Sequence, residues 1–253
     1  MKALLINASP KRITCASKYY LDLLNMQMLG CDTEQIKLVG PKIYNEIFNH
    51  FDSIDALVIA LPVYVDGVPS SVLRFLQEAE KYINQNNCQF KLYVISNCGF
   101  IEGKQCKNIL SVMRSFSDTA GLTWGGGVGI GGGEMLSVLR LTPLFELVRL
   151  ALSMLLFLVK GDFIGGLASY SWIGFIIPML VYLVFSSWMF FAMIKMQWNI
   201  RRLKTIPNFY AGIFLMPRIL FAALFNGYWI IRSAFFGVGF WELYNKENLN
   251  NKY

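Results

Sequence analysis

Three short stretches concentrate the residues able to hold an anion and a flat polar ring. The first, Ser9-Pro10-Lys11-Arg12-Ile13-Thr14-Cys15-Ala16-Ser17, carries three hydroxyls and two cations. Placed before a helix, such a loop turns backbone N–H groups and the positive end of the helix dipole toward an anion. Ser9, Thr14 and Ser17 add donors, and Lys11 or Arg12 supplies neutralising charge. The blander role of Ser17 is a helix cap, with the bases solvated. The second stretch is Pro62-Val63-Tyr64-Val65-Asp66-Gly67-Val68-Pro69-Ser70. Two prolines and a glycine stiffen it, and Tyr64 sits where a flat ring would be stacked; the alternative is a plain loop with a surface tyrosine. In the third, Ser96-Asn97-Cys98-Gly99-Phe100-Ile101-Glu102-Gly103, small residues let the backbone approach a ligand. Amide and carbonyl groups there can read the polar edge of a ring. A nucleophilic Cys98 needs an activating base; none is near it in sequence, and the single histidine, His50, lies elsewhere.

These stretches work together only if a scaffold brings them to one edge. Short apolar runs at 3–7, 33–39, 56–61 and 90–96, and the glycine-heavy run 122–130, read as strands. Between them, 16–29, 43–51, 70–83 and 104–120 repeat apolar residues at helical spacing. Strands alternating with helices imply a parallel sheet covered on both faces, and right-handed crossovers make it doubly wound. The expected fold class is therefore α/β, a five-stranded parallel sheet over 1–140. In such sheets ligands bind beyond the carboxyl ends of the strands, where strand order reverses. The three stretches follow the first, third and fourth strands.

Taken in order, S-P-K-R…S, P-V-Y-V-D-G-V-P-S, S-N-C-G-F-x-E-G-K-Q and the run 124–133 resemble the flavodoxin-like NAD(P)H-dependent FMN oxidoreductases. The resemblance covers residues 1 to about 135 and implies a flavodoxin-like fold. Carried over by position, Ser9, Lys11 and Ser17 would hold the FMN phosphate, with Arg12 as a further cation. Pro62, Val63, Tyr64 and Val65 would border the isoalloxazine, as would Asn97, Cys98 and Gly99. Ala16 departs from the family, which often places Asn there. Pro217-Arg218, Asn226, Trp229, Gly237 and Leu243-Tyr244 echo the family's tail, with apolar residues such as Phe235, Phe236 and Phe240 where Lys and Gln are usual. The glycine run also contains a formal Gly-x-Gly-x-x-Gly (Gly127, Gly129, Gly132). It closes the sheet domain and no acidic second strand follows it, so it is not a dinucleotide fingerprint.

The rest of the chain has another character. Residues 1–140 carry thirteen Lys and Arg against twelve Asp and Glu, whereas 141–253 carry ten against four, together making the net charge of +7. Basic residues scattered among Phe, Leu, Ile and Trp suit an anionic bilayer rather than nucleic acid. Trp172–Ile194 is 23 residues without a charge, enough for a transmembrane helix at about 20 residues per span. The alternative is a buried helix of a large soluble core. Leu144–Val159 is apolar but holds Glu146 and Arg149, and reads either as the sheet's last helix or as a second crossing. Lys195, Arg201, Arg202 and Lys204 follow the candidate span, and by the positive-inside rule belong on the cytoplasmic side with a nicotinamide-using domain. One crossing separates the two; a helical hairpin, followed by interfacial residues, keeps them together. That hairpin deprives the sheet of its last helix or makes it share one with the bilayer. Residues 2–9 lack the pattern of a secretory signal. Five cysteines without a C-x-x-C pair argue against zinc or a disulfide framework.

Composition thus implies a hydrophobic helical tail over 141–253 with a transmembrane helix at 172–194, and the resemblance implies an enzyme; together they give a membrane-associated enzyme at the cell membrane, its sheet domain in the cytoplasm. It would use FMN, take hydride from NAD(P)H and pass electrons to a quinone or another acceptor. The chemistry lies on the flavin, so no catalytic side chain and no metal are expected. A homodimer follows from the resemblance alone. Two alternatives are a one-electron flavodoxin-type carrier, disfavoured by the near-neutral sheet domain, and a flavin-free, membrane-tethered interaction domain.

Overall fold

A computed structural model describes residues 1–11, 15–214, 217–235 and 237. Its centre is a parallel sheet of β1 (Lys2–Asn7), β2 (Asp32–Lys37), β3 (Ala56–Pro62), β4 (Lys91–Asn97), β5 (Thr123–Ile130) and β6 (Phe209–Ala211), in the order β2-β1-β3-β4-β5-β6. The first five strands follow the flavodoxin-like order, which reverses between β1 and β3. The fold is flavodoxin-like. Six strands are present where five were expected, because β6 pairs with the outer edge of β5 at Val128–Phe209 through Ile130–Ala211.

Strand composition follows position in the sheet. β3 is apolar and almost wholly buried, as a strand covered on both faces must be. β2, at the edge, reads Asp-Thr-Glu-Gln-Ile-Lys and buries only Ile36. On one face pack α2 (Tyr44–Phe48), α3 (Ser70–Asn86) and α4 (Lys107–Thr119). Phe48, Phe51, Phe75 and Tyr82 interlock there, with ring centroids 5.0–6.1 Å apart, a spacing that favours aromatic pairs. α1 (Ala16–Gln27) lies against β1, β3 and β4 on the other face.

The helix that completes the second face comes from far along the chain. After β5 follow α5 (Gly133–Leu139), α6 (Leu141–Val159), α7 (Phe163–Ser169) and α8 (Trp172–Ile200). α6 buries no residue, so it is not the sheet's last helix. The C-terminal half of α8 fills that place against α1, β5 and β6, burying Ser186, Met189, Ala192, Met193, Met196, Gln197 and Ile200. The compact unit accordingly runs from Met1 to Phe214, with 215–253 forming a second unit.

The glycine run on β5 is a packing surface. A Cβ on Gly127 would meet the Leu110 side chain at 2.7 Å, and one on Gly129 would meet Gly103 O at 2.6 Å and Cys106 Cβ at 2.8 Å. Gly126, at φ +123°, faces Ile206. These absences of side chains seat α4 and the 203–212 segment, which explains the run without a dinucleotide.

α6 and the start of α8 form an apolar hairpin joined by α7. Asp162 caps α7 by accepting from Gly165 N (3.0 Å), and Ser171 caps α8 by accepting from Gly174 N (3.3 Å). Pro178 has no N–H, so the carbonyl of Gly174, four residues back, loses its helical donor. The Arg149 guanidinium from α6 supplies one at 2.7 Å while pairing with Glu146 at 2.6 Å. The two charges inside the apolar arm thus form an ion pair, and the arginine also serves the broken helix. In the second unit, α9 (Arg218–Phe235) carries Arg218, Asn226 and Trp229, and Arg232 lies 5.1 Å over the Trp229 ring. Leu243 and Tyr244 fall outside the described residues.

Candidate functional site

At the carboxyl ends of β1, β3 and β4 the three stretches converge. β1 ends in Asn7, whose side-chain oxygen accepts from Ser9 N at 3.1 Å and fixes the exit of the loop. Ser9 Oγ accepts from Lys11 N at 3.4 Å, and Lys37 at the end of β2 donates to the Lys11 carbonyl at 2.7 Å. Arg12 and Thr14 lie outside the described residues. Cys15, extended at the N-cap of α1, makes no capping hydrogen bond, and the helix has no acid in its first turn. Its N–H groups and dipole are therefore directed at the loop.

Ser17 and Asn97 meet beneath this loop. Ser17 Oγ donates to Asn97 Oδ1 at 2.9 Å, with the residues only 1% and 6% exposed. Asn97 O in turn accepts from Val63 N at 2.8 Å, joining the second stretch to the third. Gly133 lies on the far side of Asn97, where a Cβ would come within 3.0 Å of Asn97 Cβ. The Tyr20 hydroxyl donates to the Gly133 carbonyl at 3.2 Å, and burial raises its pKa.

Around this buried polar centre the loop tips are apolar and open. Tyr64 and Gly67 close a tight turn by exchanging backbone hydrogen bonds of 3.1 and 2.9 Å. Its central residues, Val65 and Asp66, have φ of +44° and +56°. A β-branched residue in that region is strained by about 1–3 kcal/mol, and the turn holds the Val65 side chain fully in the open. Tyr64 is 40% exposed and Phe100, on the next loop, 59%. Pro62 and Val63 are half-buried and Gly99 is exposed.

Cys98 is buried. Its N–H donates to Ile130 O at 3.0 Å, and its carbonyl accepts from Gly133 N at 2.8 Å. A hydrogen bond with the Cys106 thiol, then burial, holds the Cys98 thiol well above its ordinary pKa. The Phe100 and Glu102 carbonyls each accept from the Cys98 thiol at 3.6 Å.

Sequence reasoning missed Glu134. Both of its carboxylate oxygens accept from Lys11 Nζ, at 3.0 and 2.8 Å. The candidate phosphate cation therefore already faces a carboxylate, delivered by the first turn of α5. The only signal was an acid directly after the glycine run, where a helix can begin. Phe100 was also missed, though it stands within the third stretch. The structure joins Ser17, Asn97 and Val63 directly and turns Lys11 toward Glu134.

The Ser9 hydroxyl, the Lys11 cation and a helix start whose N-cap Cys15 makes no side-chain capping hydrogen bond suit a phosphate, with the Ser17 hydroxyl turned to Asn97, and exposed Tyr64, Val65 and Phe100 suit the face of a flat ring. The donor set fits the phosphate of a flavin nucleotide, with the Glu134 carboxylate opposing it. No family model and no curated protein matches the sequence. Among solved structures, the chain is similar to the NAD(P)H:quinone oxidoreductase from Methanothermobacter marburgensis, at 15% identity and TM-score 0.44 over 55% of this chain and 92% of that one. It is also similar to the Trp repressor binding protein from Bacillus subtilis, at 17% identity and TM-score 0.39 over 50% and 85%. The azoreductase from Bacillus anthracis gives 14% identity and TM-score 0.39 over 53% and 88%.

Proposed function

We propose that the chain is a membrane-associated FMN oxidoreductase that uses NAD(P)H and reduces a quinone or another acceptor. The observation that carries this reading is the convergence of the uncapped start of α1, Ser9, Ser17 and Asn97 beneath open apolar loop tips. Ser9, Ser17, Lys11 and the α1 N–H groups hold the phosphate; Arg12 adds charge. Pro62, Val63, Tyr64, Val65, Asn97, Cys98 and Gly99 border the ring. When bound, FMN supplies hydride acceptance from the nicotinamide and two-electron donation to the acceptor. The protein positions the ring and sets its polarity. Asn97 is held by Ser17, and the strained Val65 turn keeps an apolar wall against it.

Two helical stretches are long and apolar enough to cross a membrane, Gly133–Val159 and Trp172–Ile200; because α8 packs on the sheet from Ser186 onward, only Trp172–Phe185, about 21 Å of helix, is open to a bilayer. In this reading the hairpin of α6, α7 and the start of α8 enters the bilayer and returns. Both of its ends then lie on one side with the sheet, which suits a cytoplasmic domain. The Lys11–Glu134 pair favours a second reading, a flavin-free domain tethered to the membrane.

The visible spectrum of the full chain, extracted in mild detergent, separates the two. Flavin absorbance that bleaches anaerobically with NADPH or NADH is the expected result. Flavin that bleaches only with dithionite makes the chain an electron carrier. A colourless protein that FMN cannot reconstitute leaves the tethered domain.

A further inference from the structure

The hairpin and the candidate site leave the sheet from the same end. Residues 203–206 mark the opposite end: Lys91 Nζ donates to Leu203 O, Tyr93 Oη to Lys204 O at 2.9 Å, and Ile206 N to Gly125 O at 2.9 Å. From there α8 runs back along α1 until Tyr182 comes beside Tyr19 in the first turn of α1. That turn follows β1 and lies at the carboxyl ends of the strands. Arg140, at the foot of α6, stacks over the same Tyr19 ring at 5.1 Å. Both arms of the hairpin therefore project past the edge that carries Ser9, Asn97 and the loop tips. The most exposed apolar side chains of those tips are Val65, Phe100 and Tyr64.

We propose that this edge of the sheet docks on the lipid bilayer, with Val65, Tyr64 and Phe100 immersed in the headgroup region while the hairpin enters the hydrocarbon. The proposal rests on the membrane reading of the hairpin and adds an orientation to it. Continuity selects lipid as the occupant, since the apolar tips stand at the same end of the sheet from which helices apolar on their open faces project. Amphipathic side chains at such a boundary sit about 5–10 Å into the headgroup and acyl border. The fixed turn already holds Val65 outward, so it reaches lipid at no further ordering cost, with the exposed Asp66 carboxylate beside it at the level of the headgroups. An acceptor dissolved in the bilayer then meets the candidate site without crossing water, which favours a lipid-soluble acceptor over a soluble one.

The test uses the full chain in vesicles of phosphatidylcholine and phosphatidylglycerol carrying a nitroxide-labelled lipid. Single cysteines at Val65→Cys, Phe100→Cys, Leu152→Cys and Gln85→Cys are labelled with an environment-sensitive fluorophore. The background is Cys31→Ser, the other four native cysteines being buried. Leu152 is exposed on α6, and Gln85 is exposed at the far end of α3. The expected result is lipid quenching and a blue shift at positions 65, 100 and 152, with neither at 85. Quenching at 152 without quenching at 65 and 100 overturns the orientation and leaves the hairpin reading intact. Quenching at none of the four overturns both.

Discussion

Along α8, every residue from Trp172 to Phe185 is exposed or half-buried, whereas from Ser186 to Ile200 a stripe is buried against α1 and the sheet. The stripe recurs at three- and four-residue spacing, as one face of a helix must. Its residues are Ser, Met, Ala, Gln and Ile, while the outward face of the same segment shows Trp188, Phe191, Ile194 and Trp198. The protein-facing side is thus less bulky and less apolar than the other. Total apolarity does not separate a helix that fills a sheet's second layer from one that seeks lipid. Small and pliable residues on a single stripe do, because they let a helix approach α1 closely.

The largest expected effect tests that division. Met193→Asp would bury an unpaired carboxylate in the second half and cost several kcal/mol, about 3–5 by comparison with broken buried pairs. Ile176→Asp, on the open first half, should leave the denaturation midpoint unchanged and reduce recovery with vesicles. Denaturant unfolding in detergent and vesicle flotation read the two outcomes. Equal destabilisation by both variants would show that the first half is also protein-covered.

A smaller effect is expected where α8 is fastened to the sheet. Ala at Gly126 meets Ile206 Cγ1 and O at 2.6 Å and must adopt φ +123°. Overpacking of this kind costs about 1–3 kcal/mol. It should loosen the 203–212 return and the second half of α8 together, seen as faster amide exchange at Met193 and Met196. Arg149→Ala sharpens the first half in the same range. It leaves the Gly174 carbonyl without its donor and Glu146 without its partner, about 1–3 kcal/mol for a polar group left unsatisfied where the hairpin lies in hydrocarbon. Arg149→Lys restores the charge without the fork that serves two acceptors, so it should rescue only partly. Crosslinking between Leu152→Cys and Ile176→Cys in vesicles monitors the hairpin.

The sheet was legible because its strands are apolar runs separated by helices with one apolar face; β1, β3 and β4 and the helices between them fall within a few residues of the periodicities. β6 was not legible. It is three residues long, Phe209–Ala211, and its position depends on glycines some eighty residues earlier. The role of α8 was hidden for the reason already given, that one charge-free run serves two surroundings. In the candidate site, Ser9, Ser17, Asn97 and Val63 were legible because each stands at a strand end or helix start. Glu134 was not, since its approach to Lys11 comes from the turn at Gly132, φ +66°, and the entry angle of α5.

Glu134 also supplies the smallest and most local prediction. With Lys11 it forms a partly exposed pair at 2.8 Å, worth about 1 kcal/mol or less. A phosphate dianion near Lys11 must compete with this carboxylate and is repelled by it. Glu134→Gln removes both effects and should tighten FMN binding about three- to fivefold, the ratio that about 1 kcal/mol permits. Screening should shrink the gain at high salt, where the Debye length falls to about 3 Å at 1 M. Lys11→Ala should weaken binding by a similar factor, and the double variant should fall between the two. Titration of FMN into the purified chain, followed by flavin fluorescence at low and high salt, measures all four proteins. Affinity that ignores Glu134 and Lys11 alike would move the phosphate away from the β1–α1 loop, and with it the reading that this half of the molecule holds a flavin while the other holds lipid.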